Sequence, residues 1–157
     1  MDNLTRSEIK KLQNNLQLIR KLAGWTAADL GDKIGVTKQT IGNLENNNTE
    51  MTKTQYIAIR AVLDYEINQN KENDTLAQVV DTLLDSDNLS DEDQKKVEET
   101  MAFVSGAAER GVKKETIQKV MDAILKTLGV AAIVATGAVA TKKANSYPWL
   151  KKINRGE

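Results

Sequence analysis

Residues 26–46, TAADLGDKIGVTKQTIGNLEN, decide the fold. Thr26 stands where a hydroxyl caps a helix of about eight residues, and Leu30 and Ile34 lie one turn apart on its inward side. Gly35 then supplies a residue that accepts the left-handed region, which ends the helix. Thr37 caps again. The helix it opens runs from Lys38 to about Asn46, with Ile41 and Leu44 facing inward. A glycine turn this tight lets two short helices cross at a steep angle.

Working outward, Leu12, Leu16, Ile19 and Leu22 recur at the helical period behind Thr5 and Ser7 as candidate caps. A first helix is therefore expected over roughly 7–22, ending at Gly24. Downstream, Asn46-Asn47-Asn48 is a turn whose side chains tolerate positive φ. Thr52-Lys53-Thr54-Gln55 has the spacing of a capping box, and it opens a helix carrying Tyr56, Ile59, Leu63 and Ile67. Four helices follow from periodicity alone, and the glycine-linked pair in the middle has the form of a helix-turn-helix.

The stretch from Leu18 to Ile67 resembles the helix-turn-helix domain of the Cro and phage-repressor (XRE-like) family. The resemblance rests on Thr26, Leu30, Ile34-Gly35-Val36-Thr37, Gln39-Thr40-Ile41 and Leu44-Glu45-Asn46, where caps, turn and core positions fall in order. It implies a lambda-repressor-like domain of four or five helices, the fifth on resemblance alone. It also implies that helix 38–46 lies in the major groove of DNA with its N-terminal residues toward base edges. Arg20 and Glu45 match a family pair that bridges the first and third helices.

The side chains suit that placement. Lys38, Gln39, Gly42 and Asn43 share the outward side of the third helix. The Gln39 carboxamide matches adenine N6 and N7, Lys38 fits guanine or a phosphate, and Asn43 fits either. Thr37, Thr40, Asn46 and Asn48 lie near helix ends, where hydroxyls and amides meet phosphate oxygens, and Lys53 is a further phosphate candidate. Two features depart from the family pattern. Ala27 stands where many members carry a phosphate-binding Gln, and residues 1–70 hold 9 basic and 8 acidic side chains, a net +1 that offers few phosphate contacts.

The rest of the 157-residue chain is organised by charge. Residues 71–111 hold 4 basic and 11 acidic side chains, a net −7, and residues 112–157 hold 9 and 3, a net +6. The polar run 68–74, NQNKEND, suggests a boundary near 70, dividing a DNA-binding domain (1–70) from a helical C-terminal region (71–157). In that region Leu76, Val79, Val80, Leu83 and Leu84 form a helical stripe that has to be buried. Ser90 and the acidic 91–93 open a second helix that buries Val97, Met101, Val104 and Phe103 and completes an acidic helical pair over 74–110. An amphipathic and then apolar helix is expected over 112–146, from the spacing of Ile117, Val120, Met121, Ile124, Leu125 and Leu128.

Residues 123–141, AILKTLGVAAIVATGAVAT, contain one charge. They fit two readings: a buried packing or oligomerisation helix, or a membrane anchor with Lys142, Lys143, Tyr147 and Trp149 at the interface. With no Cys and no His, disulfides, thiol nucleophiles, imidazole acid–base chemistry and the usual zinc sites are excluded. No Gly-rich phosphate loop or nucleophile–base pair is visible, and the polar N-terminus lacks a signal peptide's apolar core. The sequence therefore predicts an all-α, non-enzymatic, cytoplasmic regulator without cofactor or metal. Its expected partners are double-stranded DNA and further copies of itself, as a homodimer or higher homo-oligomer joined through residues 74–146. The rival expectation is a membrane-associated or scaffolding protein anchored by 123–141, with the N-terminal domain as its interaction module.

Overall fold

A computed structural model describes residues 1–71, 74–85 and 147–154, together with scattered positions between 92 and 123. Among the described residues every element is helical, as the composition predicts. In chain order they are α1 (Asn3–Leu22), α2 (Ala27–Ile34), α3 (Lys38–Glu45), α4 (Lys53–Gln69) and α5 (Asp74–Val80), which runs into a π-helical turn, Asp81–Asp85. The last element is α6 (Pro148–Ile153).

Helix α1 starts earlier than its apolar spacing suggests. Asp2, not Thr5 or Ser7, is its N-cap, accepting the Thr5 amide at 2.6 Å. A carboxylate at this position faces the positive end of the helix dipole, and the same hydrogen bond holds the Asp2 carboxyl below its usual range. Thr5 instead lies buried inside the helix, and its hydroxyl donates to the Ile153 carbonyl at 3.2 Å. The other caps follow the expected chemistry. Thr26, Thr37 and Thr52 each accept the amide three residues on, and Gly35 ends α2 at φ +79°. Asn47 takes the positive φ, 57°, that the Asn-rich turn anticipates.

The core is built from Leu12, Leu16, Ile19 and Leu22 of α1, Leu30 of α2, Ile41 and Leu44 of α3, and Tyr56, Ile59 and Leu63 of α4. It does not stop at residue 70. Helix α4 extends to Gln69, two residues into the polar run, and α5 begins at Asp74. Leu76, Val79, Val80 and Leu84 are then buried in the same cluster, packed against α1 and α4. Leu83 is only partly buried, and Thr82 takes an inward position instead. The wider i→i+5 winding of a π-turn shifts which positions face inward, so the regular helical stripe fails over these residues.

Helix α6 closes the same core from the far end of the sequence. Trp149 and Ile153 are buried, and the Trp149 indole N–H donates to the Asp64 carboxylate at 2.7 Å. Its ring meets Tyr56 edge-on, with centroids 5.9 Å apart. On α1, the nearly buried Glu8 accepts Lys11 and Lys152, each at 3.0 Å. Trp149 is therefore not an interfacial anchor at a membrane: its indole N–H has a partner inside the protein, which removes the reason for a tryptophan to seek the headgroup layer. Among the described residues no helix is long and apolar enough to cross a membrane. The expected helix over 91–109 is described only at isolated positions, and apart from Ala123 the run 123–141 lies outside the described residues.

Two outcomes follow. Trp149→Ala removes the largest side chain that α6 buries, together with its hydrogen bond to Asp64, so it should cost about 3–5 kcal/mol, read by urea denaturation of the full chain. The second concerns Tyr56, whose hydroxyl burial pushes up to about 12, above its ordinary value of 10.0. The folded state then keeps the phenol neutral where the unfolded chain ionises it. Stability from this group is intact below about pH 10 and falls as the pH climbs from about 10 toward 12. The stability difference between wild type and Tyr56→Phe should hold constant below that window and shift against the wild type within it, read from melting curves across the alkaline range.

Candidate nucleic-acid interface

The α2–α3 pair is set by local chemistry at three points. Thr26 and Asp29 form a reciprocal capping box: the Asp29 amide donates to the Thr26 hydroxyl at 3.0 Å, and the Thr26 amide donates to the Asp29 carboxylate at 2.8 Å. That second bond holds the Asp29 carboxyl below its usual range. At the turn, the Gly31 carbonyl accepts two amides, Gly35 at 2.8 Å and Val36 at 2.9 Å. The chain doubles back so closely that a Cβ on Gly31 would stand 2.6 Å from the Val36 carbonyl oxygen. Thr37 then caps α3, taking the Thr40 amide at 3.1 Å, with the two hydroxyls 2.9 Å apart.

The far end of α3 is held by α1. Buried Gln13 donates from Nε2 to the carbonyls of Leu44 (3.0 Å) and Thr49 (2.7 Å), and its Oε1 accepts the Met51 amide at 2.9 Å. One carboxamide thus satisfies the C-terminus of α3 and the Asn-rich turn together. Arg20 pairs with Glu45, as the family resemblance implies, with Nη2 3.1 Å from Oε2, and also donates to the Trp25 carbonyl at 2.9 Å. Sequence reasoning passed over Gln13. Its signal was a carboxamide beside Leu12 on the apolar face of α1, where a polar group needs a buried partner.

With Ile41 and Leu44 fully inside, α3 turns its other side outward. Lys38 and Gln39 are exposed, and Asn43 is half-buried. Thr37 is exposed, but its hydroxyl is engaged in the cap, and half-buried Thr40 shares that contact. Asn46 and Asn48 are exposed in the turn beyond α3, where the Asn48 amide donates to the Asn43 carbonyl at 2.9 Å. Half-buried Lys53 opens α4. On α2, Asp29 and Asp32 are exposed, and the Lys33 ammonium lies 5.2 Å from the centre of the Trp25 ring.

Residues 16–69 match the family model described as Helix-turn-helix. This segment is an XRE-type helix-turn-helix. It resembles antitoxin HipB of Escherichia coli strain K12, at 39% identity over 54 residues, which is 34% of this chain and 61% of that one. Antitoxin HipB of Escherichia coli O6:H1 (strain CFT073) is 37% identical over 54 residues, 34% of this chain and 57% of its own. The chain thus spans about three-fifths of the length of the curated relatives it matches. No solved structure matches it. What is shared is the DNA-binding module, a helix-turn-helix on a lambda-repressor-like helical fold.

Gly31→Ala tests the turn. The added methyl meets backbone, not a movable side chain, so α2 and α3 have to part. A loss of about 1–3 kcal/mol is expected, read as a lower urea midpoint with an unchanged denaturant slope.

Proposed function

We propose that the protein is a sequence-specific regulator of transcription that binds double-stranded DNA as a dimer and represses by occupying a promoter, inserting α3 in the major groove. The observation that carries this reading is the polar face of α3. Lys38, Gln39 and Asn43 lie on the outward side of a helix whose inner side is fixed by Ile41, Leu44, Gln13 and the Arg20–Glu45 pair. A helix held this way loses little of its own freedom on meeting a base edge. Gln39 is assigned to adenine, Lys38 and Asn43 to guanine or phosphate, and Thr37, Thr40, Asn46, Asn48 and Lys53 to the backbone.

Dimerisation supplies what one module lacks. A single α3 spans few base pairs, and a net charge of +1 over residues 1–70 gives weak non-specific attraction. Two copies about one helical turn apart restore both affinity and discrimination. Of residues 74–146, those from 74 to 85 place their stripe on the chain's own core. Contact with the second copy is therefore assigned to the region beyond, where Val112 and Val120 are exposed. The helix-turn-helix supports a reading in which the protein acts in the cytoplasm as a binder of DNA. An antitoxin role is not part of the proposal, because the 54-residue resemblance supports the DNA-reading module alone.

Selection from a random duplex pool tests this directly. An enriched site with two half-sites centred about 10 base pairs apart or a multiple of that is expected. On that site Gln39→Ala should lose about 1–3 kcal/mol and relax one base position, while Lys53→Ala should weaken all duplexes alike and flatten the salt dependence. A pool that yields no enriched sequence refutes the reading.

A further inference from the structure

Three glycines fall within α2, the turn and α3, and the fold accounts for two of them. Gly31 is required because any Cβ there would strike the Val36 carbonyl, and Gly35 because its φ is +79°. Gly42 is different. It is not among the glycines with positive φ, and among the described residues no atom beyond its own helix and chain neighbours lies within 4 Å of where a Cβ would stand. It sits inside a regular helix, its carbonyl accepting the Asn46 amide at 3.0 Å. At such a position glycine is less favourable than alanine, since it holds more freedom to lose on folding. Among the described residues, therefore, nothing gives the fold a use for glycine at 42.

Its neighbours indicate where the use lies. Helical spacing puts Gly42 one turn after Lys38 and Gln39 and one turn before Asn46, in the middle of the outward face of α3. The result is a notch floored by helix backbone and rimmed by exposed donors. We infer that Gly42 is a specificity determinant. Its missing side chain lets the α3 backbone settle against base edges on the floor of the major groove, so that Gln39 and Lys38 reach their acceptors at full depth. This inference rests on the DNA-reading function proposed above. It adds that the helix is recognised by depth of seating as well as by its side chains, because a bidentate carboxamide contact tolerates little displacement along its own axis.

Gly42→Ala separates the two contributions, since the same methyl acts oppositely on folding and on binding. The variant should melt a few degrees higher than wild type. Its affinity for the duplex enriched by the wild-type protein should fall roughly tenfold or more, with affinity for an unrelated duplex of equal length changed by less than about twofold. Unchanged or tighter binding to the enriched duplex overturns the inference and leaves the DNA-reading function standing. Equal losses on both duplexes also overturn it, because they would place Gly42 against phosphates. Failure of the wild-type protein to enrich any duplex overturns both.

Discussion

A guanidinium with no access to water demands a counter-charge, and in this protein that demand draws distant parts of the chain into one core. Arg60, on α4, is fully buried. Its Nη2 contacts both carboxylate oxygens of Asp85 at 2.9 Å, and its guanidinium carbon lies 5.3 Å from the centre of the Trp149 ring. Among the described residues, Nε and Nη1 have no hydrogen-bond acceptor, nor has the buried Tyr56 hydroxyl a partner. Removing an ion from water costs several kcal/mol. Asp85 and the face of an electron-rich ring offset that cost, and each arrives on an element outside the helix-turn-helix itself. The core of the helix-turn-helix is thus completed by α5, its π-turn and α6.

How far this was legible in the sequence depends on the range of the interaction concerned. Thr26, Thr37, Thr52, Gly35 and Asn47 act within three or four residues of themselves, so their chemistry could be read directly. The stripe of α5 announced that it would be buried, without saying where. The contact between Trp149 and Asp64 spans 85 residues, and no periodicity carries information over that distance. The same ring, with Tyr147 near it, looked equally suited to a lipid interface, because an indole is amphipathic in either setting. Asp2 does not stand out as a cap because the apolar pattern read for α1 begins only at Leu12. Gln13 was overlooked because its partners are backbone groups, which every sequence possesses and none advertises.

The candidate interface combines a rigid frame with little charge. Exposed Asp29 and Asp32 oppose Lys33 on α2, while Lys38 opens α3 and Lys53 opens α4. Such a surface gains less from counterion release than a strongly basic one, so fit at the base edges has to carry a larger share of recognition. The clamps on α3 from Gln13 and Arg20 belong to the same logic, since a reader relying on fit cannot tolerate a loosely held helix.

The two partners of Arg60, Asp85 and Trp149, stand on either side of residues 86–146 in the sequence and meet at one side chain. The chain between them is thus tied at both ends to the middle of α4. Joining the ends of so long a stretch carries an entropy cost that grows only slowly with its length. Cutting the chain between them would relieve that cost without removing either partner of Arg60.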